Sequence, residues 1–280
     1  MNERRLRFVD SVHSALWGFE RWEISAHASD PGMVADGPFA RRRFNELYPG
    51  FPLLFKEIDA TTRLSVQVHP NEESCRLTGG EPKSEMWCAL ADSSVYAGLR
   101  PGADVAAVDE AVRAGRLEEL LVRHDLKAGE VIFIPGGLVH SIGDGACVYE
   151  VQQSSDTTFR LYDWGRVGSD GRPRELHLQQ ALRALDPGLP APTPVRSLDT
   201  PYFSFRQERL VGEMMLICGP GEFLAVRSAE GSFSLDGERF SPGGCFLLPP
   251  SSSGVLRADG VWLLMTRFLH DAGSSGGGEG

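Results

Sequence analysis

Four side chains on three strand-like segments are potential metal ligands. Gln67 and His69 lie in Leu64-Ser-Val-Gln-Val-His-Pro70, Glu85 in Lys83-Ser-Glu-Met-Trp87, and His140 closes Gly129-Glu-Val-Ile-Phe-Ile-Pro-Gly-Gly-Leu-Val-His140. Side chains two apart share a face of a strand, so an extended 64–70 segment points Gln67 and His69 the same way. Two imidazole nitrogens, a carboxylate and an amide oxygen form a mixed nitrogen and oxygen set. Such a set suits a borderline divalent metal that keeps one position open for substrate. Taken singly, His69 or His140 is an ordinary hydrogen-bonded structural histidine and Gln67 a polar strand residue. The two histidines gain weight from their spacing taken together, whereas spacing alone does not assign Gln67.

The elements that must position these groups are strands. Ser65–Val68, Met86–Leu90, Val131–Pro135, Cys147–Gln152 and Thr158–Asp163 are strand-like segments set off by Gly, Pro, Asn and Asp. Asp104–His124 differs: Val105, Val108, Val112, Leu117, Leu120 and Leu121 recur at helical spacing, with Gly115 between two short helices and Asp104 as N-cap. It is predicted to be a helical insertion packed at the mouth of a β domain. A second helix is predicted over Glu175–Leu185, stopped by Asp186-Pro187-Gly188. The proline-rich stretch Pro187–Pro201 is the expected linker. That division leaves residues 1–186 as a first domain, 202–270 as a second β-rich domain, and the Gly/Ser-rich 271–280 as a disordered tail.

Bulk properties narrow the partners. The chain has 280 residues, enough for one large or two ordinary domains, and 41% hydrophobic with 24% charged residues is the balance of a soluble globular protein. A net charge of −10 disfavours nucleic acid and anionic membrane as partners, so an anionic substrate would need a local basic pocket. The five cysteines (Cys75, Cys88, Cys147, Cys218, Cys245) are scattered without a CxxC pair, which argues against a disulfide framework or thiolate metal site and for a reducing cytoplasm. The N-terminus has positive charge but no following apolar core of a signal peptide, and no stretch approaches the roughly 20 apolar residues of a membrane span.

A faint internal repeat links the two β-rich blocks. Gly129-x5-Pro135-x-Gly137-x2-His140 is echoed by Gly243-x5-Pro249-x-Ser251-x2-Gly254, with Gly254 where the histidine would stand. The second block holds only His270, so it is read as a duplicated scaffold without the metal, or as a chance likeness of turn chemistry.

The Gly-x5-Pro-x-Gly-x2-His spacing resembles the second motif of the cupins, a family of small β-barrels. Gln67-x-His69 and Glu85 take the places of that family's first motif, and glutamine in the first position resembles the type I phosphomannose isomerases. The likeness runs through Trp22–His27, Gly37-Pro38, Leu53–Ala60, Leu64–Pro70, Lys83–Trp87 and Ile134–Gly143. It is densest at Glu150-Val-Gln-Gln-Ser-Ser-Asp-Thr-Thr-Phe-Arg-Leu-Tyr-Asp-Trp-Gly-Arg166, a run that resembles the short bacterial form. The fold this implies is mainly β, two cupin-type jelly-roll barrels with a small helical insertion and a connecting helix.

The resemblance implies one Zn2+ per chain, held by Gln67, His69, Glu85 and His140. It also implies interconversion of mannose 6-phosphate and fructose 6-phosphate through a cis-enediol, which needs an electrophile near the carbonyl and a base to carry the proton. Arg160 matches the family's active-site arginine, Glu150 an acidic residue proposed for proton transfer, and Lys83 and Lys56 pocket-lining lysines. Ser65 and the basic residues are expected to hold the phosphate and Arg160 to steady developing charge. Glu150 has an equally good reading as a buried carboxylate paired for structure, Arg160 as a strut and Lys56 as a strand-end lysine. His13, His27, His124, His177 and His270 are read as surface or structural. The chain departs from the family's pattern in its short N-terminus, in Asn71–Cys75 and in Trp87–Leu90, which leaves the exact sugar open. The expected partner is a hexose 6-phosphate, bound by a monomer or a dimer. The competing functions are a sugar-phosphate sensor without turnover, an isomerase of another hexose phosphate, and an iron or manganese oxidising cupin, whose first motif would be richer in histidine.

Overall fold

The computed structural model describes residues 5–168 and 171–270. The tail expectation for 271–280 lies outside the described residues. By density of internal contacts the chain divides into two units, one comprising Val12–Arg21 and Leu54–Val195, the other Met1–Ser11, Trp22–Leu53 and Arg196–Gly280. The change at Val195 falls within the proline-rich stretch 187–201. The N-terminal part differs from the sequence expectation, because most of residues 1–53 group with the C-terminal block rather than with the candidate site. The contacts responsible are long-range in sequence: Leu6 bridges Leu247, and Phe51 lies edge-on to Phe223 and Phe268 at 5.4 and 5.2 Å.

The site-bearing unit is built on antiparallel strands. In chain order they are β1 (Ser11–Ala15), β2 (Gly18–Ile24), β3 (Leu53–Ala60), β4 (Val66–Val68), β5 (Glu85–Ala89), β6 (Ser93–Leu99), β7 (Leu121–Leu126), β8 (Val131–Ile134), β9 (His140–Ile142), β10 (Cys147–Gln153) and β11 (Phe159–Tyr162). One sheet has the order β8-β5-β10-β3-β2-β1 and the other β11-β4-β9-β6-β7. The crossing orders come from chain segments returning between strands that are not consecutive in sequence.

Alternation gives each strand one inward row. Ile58, Ala60, Trp87, Ala89, Ile132, Ile134 and Val148 from the first sheet pack with Val95, Ala97, Leu126 and Ile142 from the second in one shared apolar core. The same inward rows continue into polar residues. Arg160 stands opposite Gln67, Gln67 opposite His140, and His140 opposite Ala97. On the other sheet Ile134 stands opposite Glu85, and Glu85 opposite Gln152. Facing residues on adjacent antiparallel strands point to the same side. The interior therefore passes from an apolar part to a polar part along the strands.

Helix α1 (Val105–Arg113) forms as the spacing predicts, with the Asp104 carboxylate accepting from the Ala107 N–H at 2.8 Å. Val108 and Ala111 pack with Val66, Val68, Tyr96 and Leu99. Since Gln67 faces inward, Val66 and Val68 face outward. The helix thus covers the outer face of the second sheet rather than its mouth. The predicted second helix of this insertion is a short 3-10 turn, Leu117–Leu120, and residues 121–126 are strand β7, pairing with β6. This strand lies at the edge of its sheet with Arg123 and Asp125 exposed, and its pairing overrides the helical spacing read across Gly115. Helix α2 (Leu178–Ala184) begins three residues later than predicted. The reason is that His177 N–H donates to the Arg160 carbonyl, and the Glu175 carbonyl accepts from the Arg160 guanidinium, so this segment lies extended along β11.

In the other unit a long antiparallel pair, Ser204–Ile217 with Ser253–Leu269, anchors a seven-stranded antiparallel sheet. Phe233, Phe240 and Phe246 with Leu224, Val226, Leu248, Leu256 and Leu263 fill its core. The repeat seen in sequence extends to backbone conformation. Gly129 and Gly243 both have positive φ (80° and 74°), as do Gly137 and Ser251 (97° and 56°). Glycine adopts that region freely whereas serine is strained there.

Candidate metal centre

β4 delivers Gln67 and leads into His69, β5 opens with Glu85, and β9 opens with His140. The donor atoms of His69, Glu85 and His140 all lie within 4.8 Å of one another, and all three residues are buried. His69 Nε2 is 3.3 Å from Glu85 Oε2 and His140 Nε2 is 3.5 Å from Oε1. Gln67, partly exposed, lies directly across the register from His140.

Backbone carbonyls set the tautomers. His69 Nδ1 donates to the Thr157 carbonyl and His140 Nδ1 to the Leu138 carbonyl, each at 2.8 Å. Each Nε2 is thereby left with a lone pair. The turn supplying Leu138 depends on Gly137 at φ 97° and is tied to the same site, since Gly137 N–H donates to the His69 carbonyl. Both Nε2 atoms and both Glu85 oxygens are buried without a hydrogen-bond partner. Four lone-pair groups converge on one point with the Lys83 ammonium against Glu85 Oε2 alone; the set is costly in a folded interior, and a divalent cation satisfies it. The residues present therefore fit a metal.

Charge is arranged accordingly. Burial pushes the His69 imidazolium down to about 3, with the Lys83 ammonium adding to the effect against the pull of Glu85. Burial lowers His140 too. Burial alone would raise Glu85, but Lys83, His69 and His140 outweigh it and hold the carboxyl well below its usual range. Lys83 Nζ sits 3.0 Å from Glu85 Oε2. At neutral pH the set is two neutral imidazoles and a carboxylate, the protonation state a metal requires.

A second buried group lies on the same inward face. The Trp87 indole N–H donates to Glu150 Oε2 at 2.9 Å, and Lys56 Nζ is 3.2 Å from Glu150 Oε1 and 3.2 Å from Glu20 Oε2. Burial and the Glu85 charge raise Glu150, against Lys56 and Lys83. Burial would lower Lys56, but Glu150, Glu20 and Glu85 hold it up. Arg160 shares the inward row with Gln67, its backbone N–H donating to His177 Nδ1 at 3.1 Å and its Nε buried without a partner. Ser65 is buried just before β4. The structure thus gathers His69, Glu85, His140 and Lys83 in direct contact, and Glu150 with Lys56 in a second contact group. Gln67 and Arg160 are placed by register.

Sequence reasoning passed over Trp87, Gln152, Glu20 and the Thr157 carbonyl. Strand alternation was a usable signal for two of them, since Trp87 is two residues from Glu85 and Gln152 two from Glu150.

The chain is 32% identical over 268 residues to mannose-6-phosphate isomerase of Streptococcus mutans serotype c, covering 86% of this chain and 84% of the relative. It belongs to the mannose-6-phosphate isomerase family. Its fold matches mannose 6-phosphate isomerase from Bacillus subtilis with a TM-score of 0.82 at 24% identity, covering 94% of this chain and 99% of that one. It also matches a zinc-bound mannose 6-phosphate isomerase with a TM-score of 0.70 at 16% identity, covering 96% and 100%. No family model matches the sequence. The mainly β, antiparallel fold is that of the cupin-type isomerases. Among the described residues no helix is long and apolar enough to cross a membrane.

Replacing His140 by alanine removes one of the converging donors without opening the apolar core. Metal analysis after loading with divalent metal and dialysis should show retention falling roughly tenfold or more relative to the unaltered protein, with the circular dichroism of the β-structure preserved. Full retention would place the metal elsewhere.

Proposed function

We propose that this chain is a zinc-dependent aldose–ketose isomerase that interconverts mannose 6-phosphate and fructose 6-phosphate. The observation that carries the reading is the buried His69–Glu85–His140 set with its four converging lone-pair groups, none of them hydrogen-bonded, in a chain of this family. Gln67 would complete the zinc ligands. The unit holding these residues takes the catalytic role, and the C-terminal block, with Gly254 and Ser251 at the repeat positions, is a scaffold without metal. The five cysteines, none in a disulfide, suit the cytoplasm, where hexose phosphates are metabolised.

The reaction moves a proton between C1 and C2. Bound zinc would supply Lewis acidity toward the carbonyl oxygens. Glu150 carries the proton. Its Oε2 is fixed by Trp87, its Oε1 faces Lys56, and its raised affinity for a proton brings it toward the range where a base can take and return one. Lys56, held charged by Glu150 and Glu20, keeps Glu150 oriented and limits how far its pKa rises. Arg160 presents a fixed positive group on the Gln67 row, where it stabilises negative charge developing on the substrate oxygens. Lys83, Lys56 and Ser65 contribute to holding an anionic substrate against the overall charge of −10. Binding energy from the unreactive phosphate orients C1 and C2, so its removal should lower turnover as well as affinity.

A coupled assay with mannose 6-phosphate tests the reading. Turnover should vanish on chelation and return with zinc, and its absence from zinc-loaded, folded protein would overturn the assignment. Arg160→Ala should lower kcat/KM roughly 100- to 1,000-fold, the usual scale for one preorganised donor to developing charge. An unchanged value would retire that role.

A further inference from the structure

Gln152 is a wholly buried amide on the inward face, directly across the antiparallel register from Glu85. Facing residues of such a pair have Cβ atoms roughly 4.5–5.5 Å apart, so its side chain leaves the sheet beside the metal-binding carboxylate. Its Nε2 donates to the Gln153 carbonyl at 2.9 Å and to the Ser155 carbonyl at 2.7 Å. Both partners are acceptors only, which fixes the amide's orientation, because a flipped group would set oxygen against two carbonyls. Oε1 is then aimed away from both, and it is buried without a hydrogen-bond partner.

We propose that Gln152 contacts the substrate, its Oε1 accepting a hydrogen bond from an unreactive hydroxyl of the bound sugar phosphate. This rests on the isomerase reading and extends it to sugar recognition. The other side chains assigned to the pocket have their partners. Lys56, Lys83, Arg160 and Ser65 donate to phosphate or to developing negative charge, while Glu85 and the Gln67 amide oxygen are committed to the metal and Glu150 to the proton. A polyol sealed into such a site also brings O–H donors that lose their water. Gln152 Oε1 is a neutral acceptor on that wall, so it can take a hydroxyl hydrogen without altering the charge balance at Glu85. The C1 and C2 oxygens take part in the reaction, and the C5 oxygen is the one that closes the pyranose ring of the free sugar, so the contact is assigned to the hydroxyl at C3 or C4. An acceptor that is buried and unpaired favours a sugar carrying that hydroxyl over one lacking it.

The test compares zinc-loaded wild type and Gln152→Met on mannose 6-phosphate and on its 3-deoxy and 4-deoxy analogues, with zinc content measured on each protein. Wild type should turn over the parent sugar and lose roughly 10- to 100-fold in kcat/KM on one deoxy analogue. Gln152→Met should retain zinc, lose a similar factor on the parent sugar, and no longer distinguish it from that analogue. Equal activity of wild type on all three sugars overturns the inference, whatever the variant does. So does an unaltered kcat/KM in Gln152→Met. A variant that loses zinc, or falls by the same factor on every sugar, assigns the amide to holding the 153–157 turn that carries the Thr157 carbonyl, and the contact is rejected. Inactive wild type on mannose 6-phosphate would instead sink the isomerase reading, and this inference with it.

Discussion

A carboxylate held wholly out of water between two imidazoles is the constraint from which the rest of the site follows. Glu85 is buried beside His69 and His140, and neither ring is protonated at neutral pH, so neither supplies the balancing charge. Lys83 at 3.0 Å supplies part of it. The orphaned lone pairs that remain call for a cation. Removing an ion from water costs several kcal/mol unless it is paired and hydrogen-bonded, so an apolar replacement would stabilise the fold more readily. The strands around Glu85 therefore carry a cluster whose logic is binding rather than stability.

The fold makes such a cluster tolerable by dividing its interior. Trp87 shows the division in one residue. Its ring belongs to the apolar core and lies 5.5 Å from His140, while its N–H reaches Glu150. Below it Ala89, Ile132 and Val148 continue the apolar packing; on the other side come Glu85, Gln152 and the histidines. Strands suit this arrangement because one inward row can change from apolar to polar along its length without altering the backbone ladder. Turns then finish the geometry: the Leu138 and Thr157 carbonyls, which orient the two rings, both come from outside the regular strands.

The strand segments and the donor set were legible in the sequence because alternation and the glycine–proline–histidine spacing are local. Three of the donors, His69, Glu85 and His140, meet in space, joined by Lys83, which only the family resemblance had singled out. What escaped was decided by distant partners. Residues 121–126 carry helical spacing but are drawn into a strand by pairing with β6. The start of α2 is delayed because 175–177 is bonded to Arg160. The N-terminal residues group with the distant C-terminal block through contacts such as Phe51 with Phe223, 172 positions apart. Trp87 and Gln152 looked like ordinary strand residues until their partners on neighbouring segments were known.

The most direct test is anomalous diffraction at the zinc edge from crystals of the zinc-loaded protein. One strong peak is expected among His69 Nε2, the Glu85 carboxylate and His140 Nε2, with the Gln67 amide oxygen within ligand distance. A dominant peak elsewhere, or at a cysteine, would contradict it.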